Sequence, residues 1–373
     1  MLTRAILLVF IVAGLYGLVR LKREVLVDFE VPQRAAARFL AHEPLYRPSD
    51  GHYQFKYLPT FAAVMVPFAL MPKRAGEITW FALTVVMTWG LLRLAITNVP
   101  ERRLSLRVLF WLTLLFNGKS LVKELAFGQF NLPVALLLLG AVILARDGRG
   151  LMAGAAIAGA VFVKPYALIL LPWLAWTVGW RAVAVFGLVL AAGLSVPIAS
   201  YGWDGNLTQL SEWYRTVTET TAPNLLGADN VSFASMWAKW LGPGETASRL
   251  ALASTVIAVA AGFAMIAWRK RVAEPNYLEG AYFLFLIALV SPQGWDYVLL
   301  IGLPAYVGLV DRWRDLSLPW RGVAAIGIIL TSFMIYDVLR RTLYLYLLER
   351  SAISVGAVLI AAVLVRMRWR ALA

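Results

Sequence analysis

Long uncharged apolar runs recur from one end of this sequence to the other, and such a chain has few folded states open to it. They lie at Ala5–Val19, Phe61–Leu70, Ile78–Leu92, Val108–Phe116, Leu132–Ala145, Ala182–Ala199, Leu250–Trp268, Ala281–Val290, Val298–Val310, Val323–Tyr336 and Ile353–Val365. About 18 or more apolar residues suffice for a helix to cross the hydrocarbon core. Several of these runs are shorter and must draw on their flanks. Only 15% of residues are charged and 61% are hydrophobic, where a soluble domain carries roughly 25% charged residues; the mean hydropathy is +0.72. No soluble fold of this length hides that much apolar surface. The expected class is an all-α polytopic membrane protein, residues 1–373 forming one integral membrane domain.

A net charge of +14 would ordinarily suggest nucleic acid, but the cations sit in short connections: Arg146–Arg149, Arg181, Arg269–Arg271, Arg312–Arg314 and Arg366–Arg370. Cytoplasmic loops have this pattern under the positive-inside rule. With no soluble basic domain, nucleic acid is excluded as a partner. The absence of cysteine removes disulfides, thiolate metal sites and thiol nucleophiles. The first apolar stretch has the size of a signal peptide, but it lacks a small-residue cleavage site and ends in Arg20-Leu-Lys-Arg23, so it reads as a retained anchor.

Two segments are too long and polar to be simple turns: residues 20–57, and residues 201–245 with Asp204, Glu212, Glu219, Asp229 and Glu245. Long loops in compact proteins tend to be functional. Alternation counted back from the C-terminus puts the late basic clusters inside and residues 201–245 and 291–297 outside. Counted forward, residues 20–57 are also outside, but so is Pro100–Arg107 with Arg102, Arg103 and Arg107, unless a span is miscounted. Leu151–Val178, interrupted at Lys164-Pro165, reads as one kinked span or two short ones. Gly150, Gly154 and Gly159 allow close helix approach.

Charges beside apolar spans are expensive and are functional candidates. Asp28 follows the first span, at an interface where water keeps a carboxylate ionised and able to accept a proton. Ala35, Ala36, Phe39 and Leu40 behind it mark an interfacial amphipathic helix. The only two histidines, His42 and His52, are too few for a metal site and read as solvated loop residues. Lys119, Lys123, Glu124, Gln129 and Asn131 interrupt an apolar region, and Lys123 could serve a phosphate as a point charge or snorkel to headgroups. Lys164 needs a carboxylate, a carbonyl or a phosphate. Trp295 and Tyr297 fit an aromatic belt, whereas Asp296 between them does not.

In order and spacing, these segments resemble glycosyltransferase family 87, the polyprenol-phosphate-mannose-dependent α-(1,2)-mannosyltransferases of GT-C fold. The resemblance rests on Asp28-Phe29, Leu45-Tyr46, Phe55-x-Tyr57-x-Pro59, Lys123-Glu124-x-x-x-Gly128-Gln129-x-Asn131, Lys164-Pro165 and Ser291-Pro292-x-x-Trp295-Asp296. Tyr297-Val298 stands where the family often has His-His, and Asn230-x-Ser232 only loosely matches an Asn-Gln-Ser element. The acceptor and the sugar stay open.

The resemblance implies a GT-C-type bundle, here of roughly 11–13 transmembrane helices with two larger outer loops. It implies a multi-pass enzyme of the bacterial plasma (inner) membrane with its active site on the outer face. Its partners would be a polyprenyl-phosphate sugar donor, most simply mannosyl, a lipid or glycan acceptor, and the bilayer. Asp28 would be the general base of an inverting transfer. Lys56, Lys123, Lys164 and Arg341 would be candidate cations for the leaving phosphate, Lys123 first. Tyr57, Glu124, Gln129, Asn131, Trp295, Asp296 and Tyr297 would complete the substrate site. No cofactor is implied, and no metal, since neither outer loop carries an Asp-x-Asp cluster. A transporter or lipid-carrier flippase would also bury Lys123, Glu124 and Lys164, but would need no acid-bearing interfacial loop. A lipid-linked polysaccharide polymerase shares the setting and the carrier.

Overall fold

The computed structural model describes residues 26–268 and 275–370. The apolar run Ala5–Val19, with its reading as an anchor, and the cluster Arg269–Arg271 lie outside the described residues. The other apolar runs form helices, which satisfy their own backbone polar groups away from water. An amphipathic helix, α1 (Val27–Leu40), precedes two short ones, α2 (Pro59–Val64) and α3 (Val66–Ala69). Then follow α4 (Lys73–Thr97), α5 (Leu106–Phe127), α6 (Asn131–Arg146) and α7 (Gly150–Val163). A 3₁₀ turn over Pro165–Leu170 leads into α8 (Leu171–Thr177), α9 (Trp180–Ser195) and α10 (Ile198–Asn224). After α11 (Phe233–Leu241), α12 (Glu245–Ala267) and α13 (Pro275–Val290), a second 3₁₀ segment, Asp296–Gly302, enters α14 (Leu303–Asp311). The chain closes with α15 (Leu318–Ser332), α16 (Tyr336–Glu349) and α17 (Ala352–Arg370).

The fold is all-α and polytopic. By length and composition, three described helices can cross a membrane: α4, α12 and the stretch Ala352–Trp369 of α17. Five can if the bent pairs α9–α10 (99°) and α15–α16 (98°) each count as one span. The difference from roughly 11–13 expected spans has a local cause. Breaks such as Lys164-Pro165 divide the apolar runs, leaving helices of 10–17 residues such as α6 and α7.

The bundle has two chemically distinct ends, separated by the 22 residues of α5, or about 33 Å at 1.5 Å per residue. Before α5 begins, Arg103 N and Leu104 N donate to the Asp311 carboxylate at 3.0 and 2.9 Å, and Arg103 pairs with Asp315. Nearby, Arg312 Nη2 donates to Pro100 O and Arg146 Nη2 to Asn98 Oδ1. Pro100–Arg107 therefore joins Arg146 and Arg312–Arg314 at one basic end, as the positive-inside pattern requires.

One expected span is corrected. Phe61–Leu70 does not cross: it forms α2 and α3, and the chain then returns to α1. Gln33 Nε2 donates to Phe68 O at 3.0 Å, and Lys73 Nζ lies 2.5 Å from Glu30 Oε1. Ten residues are too few for a pass, and Val66-Pro67 reorients even that short helix. Removing this span moves Pro100–Arg107 to the basic end. The Lys164-Pro165 break proves to be a reversal. α7 rises away from the basic end, and the chain returns so that Val178 packs on Gly150, where a Cβ would collide with it; at Gly154 a Cβ would strike the Ala182 carbonyl. These two glycines let α7 meet α8 and α9 closely, whereas Gly159 meets only ordinary side-chain contact.

Candidate active site

At the end opposite the basic one, five separate pieces of chain enclose a cavity of about 390 Å³. Its acid, Asp28, is in the first turn of α1, where the helix dipole favours negative charge. What precedes it is tightly held. Leu26 is fully buried with φ +64°, a left-handed conformation costly for a branched residue, and its N–H donates to Ala126 O at 2.8 Å. Phe29 stacks on Trp80 at 5.5 Å, and Trp80 Nε1 donates to Gly128 O.

The Lys123–Asn131 motif explains this arrangement residue by residue. Gly128 ends α5 at φ +71°, and a Cβ there would sit 2.8 Å from Phe29 Cβ, so only glycine fits. Its tight turn delivers Gln129, whose Nε2 lies 2.5 Å from Asp28 Oδ2 and 3.2 Å from Tyr297 Oη. Glu124 is fully buried and accepts from Asn131 Nδ2 at 2.7 Å and Leu132 N at 2.9 Å. It caps the first turn of α6, satisfying donors a helix start leaves open. Glu124 and Asn131 thus hold the corner, while Gln129 touches the acid.

Asp28, Lys56, Tyr57, Gln129, Lys164, Trp295 and Tyr297, all singled out in the sequence, line this one cavity. Lys164, in the extended link after α7, is buried and makes no ion pair within 4 Å with any described residue. Lys56 enters from the loop before α2, whose backbone is tied down by Trp213 Nε1 donating to Lys56 O and Tyr46 Oη donating to Tyr57 O. Burial raises the Asp28 carboxyl above its ordinary 3.8, opposed by the Gln129 hydrogen bond and then by Lys164, His52 and Lys56. Burial lowers the Lys56 ammonium, opposed by Asp28. The interface therefore holds Asp28 less exposed to water than its place in the sequence suggests.

The remaining candidates lie elsewhere. Lys123 Nζ is 2.9 Å from both Asp229 Oδ2 and Asp296 Oδ1, and Lys119 Nζ is 2.9 Å from Asp296 Oδ2. The lysine ranked first for a phosphate is occupied by two carboxylates, and Asp296, fully buried, serves two lysines. Glu124 and Asn131 line no part of the cavity, and Arg341 is exposed on α16 away from it.

Around Asp296 the two later loops are stitched together. Asp296 N donates to Asp229 O, Val231 N to Gly294 O, and Asn230 Nδ2 to Pro292 O at 2.9 Å. Ser232 caps α11. This stitching fixes Trp295 and Tyr297 at the cavity wall.

Sequence reasoning missed several lining residues. His52 is exposed, as a solvated loop residue should be, yet it stands at the mouth on a turn clamped to α1 by the Arg38–Asp50 pair at 2.6 and 2.8 Å. That pair holds the Asp50 carboxyl below its ordinary value. His42 instead bridges to Ser200 O at 2.7 Å. Tyr53, Gln54, Tyr166 and Gln293 also line the cavity; their signal was proximity to Lys56, Lys164 and Trp295. Among the described residues no group of three or more His, Asp or Glu is placed to hold a metal ion.

A half-buried acid, two lysines and a ring of aromatics facing one space suit the transfer of a sugar. A family model, glycosyltransferase family 87, matches residues 55–292, well over half of the 373 residues. The chain belongs to glycosyltransferase family 87. It is a membrane glycosyltransferase, with a sugar donor and an acceptor as its substrates. No curated protein matches it. The family 87 match takes in Lys56, Gln129 and Lys164, but begins after Asp28 and stops before Trp295.

Proposed function

We propose that this enzyme moves a hexose, most simply mannose, from a polyprenyl-phosphate carrier to a hydroxyl of a lipid or glycan, with Asp28 as the general base. The carrying observation is that Asp28 and Lys164, which makes no ion pair with a described residue, face the same cavity. The acceptor O–H bond breaks and its proton goes to Asp28. The acceptor oxygen bonds to the anomeric carbon from the face opposite the phosphate. The bond from that carbon to the phosphate oxygen breaks, and the electron pair leaves with polyprenyl phosphate. Gln129 orients the carboxylate for this step.

Charge supports the assignment. Two lysines against one aspartate leave the lining with one net positive charge when His52 is neutral. A sugar phosphodiester carries one negative charge. Transfer makes the phosphate a dianion while Asp28 becomes neutral, so both states are balanced by the same two lysines. Fixed cations aimed where charge develops are a strong source of rate enhancement. Tyr57, Trp295 and Tyr297 offer ring faces to the sugar.

The cavity lies opposite the basic end, which favours the outer face of a bacterial inner membrane by the positive-inside rule. GT-C membership and α-(1,2)-mannosyl specificity belong to the same reading. The test is transfer from radiolabelled polyprenyl-phosphate mannose to a membrane lipid extract. Wild type is expected to make a labelled glycolipid, and Asp28→Asn and Asp28→Ala almost none. Undiminished transfer by both variants would remove Asp28 as the base. Movement of label across vesicles with no new glycolipid would indicate a carrier flippase instead.

A further inference from the structure

Sharing no lining residue with the cavity around Asp28, an apolar groove of about 600 Å³ runs between α12, α13 and α17, with α11 at its upper end. Its wall is made shallow by Ala258, Ala261, Ala361 and Ala362. Three of its polar side chains, Trp237, Ser254 and Tyr282, are satisfied within the protein. Trp237 Nε1 donates to Ser254 Oγ at 2.9 Å, and Tyr282 Oη donates to Ala258 O at 2.7 Å. Arg366 is the one cation among the described residues of the lining. It lines the foot of the groove, its Nε is buried without a hydrogen-bond partner, and it forms no ion pair with a described residue.

The foot belongs to the basic end. Two residues further along, Arg368 pairs with Glu279 at 3.0 Å, and Trp369 packs on Trp268 at 4.6 Å between ring centroids. The outer face of α12 is bare, with Leu252, Val256 and Ile257 each more than half exposed. A guanidinium in an apolar wall is expensive unless an anion meets it, and its planar fork suits phosphate oxygens. The chemistry called for is an apolar chain attached to a phosphate at headgroup depth.

We propose that this groove holds one anionic glycerophospholipid from the leaflet at the basic end, its phosphate on Arg366 and an acyl chain along Ala258, Ala261 and Ala362. The site is separate from the sugar-transfer cavity and does not depend on the donor assigned there.

Native mass spectrometry of the full-length protein, released from mild detergent and titrated with phosphatidylglycerol or with phosphatidylcholine of the same acyl chains, tests this directly. Wild type should retain one phosphatidylglycerol with about tenfold preference, the scale of a charge-assisted contact. Arg366→Gln should erase the preference and Arg366→Lys keep part of it. Ala362→Phe, which fills the groove without touching the charge, should reduce retention of both lipids. Equal binding of the two lipids by wild type, or an undiminished preference in Arg366→Gln, would overturn the proposal. So would a wild-type dimer that Ala362→Phe dissociates, because the groove would then be covered by a second copy of the chain.

Discussion

Two clusters of charge lie on either side of the segment Trp295–Tyr297, and they are built on opposite principles. Lys119, Lys123, Asp229 and Asp296 satisfy one another at 2.9 Å. In the cavity, by contrast, Lys164 makes no ion pair within 4 Å among the described residues, and Asp28 has an amide at 2.5 Å. The closed cluster joins loops; the open one is where the proposed function seats the substrate. Buried ion pairs are costly to break, and buried lone charges are costly to keep. A side chain's chemistry therefore follows from whether its partner is already present, and motif membership alone does not decide it.

Substitutions can break this contrast in graded steps. The largest effect is expected of Asp28→Asn, which removes the proposed base while keeping its shape: turnover should fall roughly 10²–10⁴-fold with the melting temperature unchanged. Lys164→Gln should slow transfer about 10²–10³-fold and cost little stability, because it deletes a buried charge that makes no close ion pair with a described residue. Asp296→Leu should do the reverse. Stranding Lys119, and leaving Lys123 with Asp229 alone, should cost about 3–5 kcal/mol of stability, read by thermal unfolding in detergent, and activity should fall only as the folded fraction falls.

A pH profile sharpens the same comparison. A base works only when deprotonated, so transfer should fall as pH drops through the Asp28 pKa, which burial has raised above the usual carboxylate value. Gln129→Leu withdraws the hydrogen bond that holds this carboxyl down, so the acidic limb should move to higher pH; an unmoved limb would dissociate Gln129 from the base. The smallest effect is expected of Arg341→Ala, exposed and outside the cavity, with activity within about twofold of wild type, as for most surface substitutions.

Much of this was legible in the sequence, and what was not has identifiable causes. The apolar runs dictated an all-helical membrane protein. The spacing of Gly128, Gln129 and Asp28-bearing α1 brought acid and amide together. Hydropathy, however, reports composition and not depth, so Phe61–Leu70 read as a span when it turns back at Val66-Pro67. The occupation of Lys123 could not be read locally, since Asp229 and Asp296 lie 106 and 173 residues away. His52 was hidden for a similar reason: its loop is polar, and only the Arg38–Asp50 clamp turns it towards Asp28.

The near-perpendicular bends after α9 and α15 have a mechanical consequence. Each turns the chain by nearly a right angle into a largely polar helix, α10 being kinked again at Gly202, so the described body is broader at headgroup depth on that side than in its apolar middle. An inclusion of unequal cross-section stresses a flat bilayer and is relieved where the membrane curves away from its narrow side. Vesicle size should therefore influence how readily this protein inserts and where it gathers, independently of any substrate.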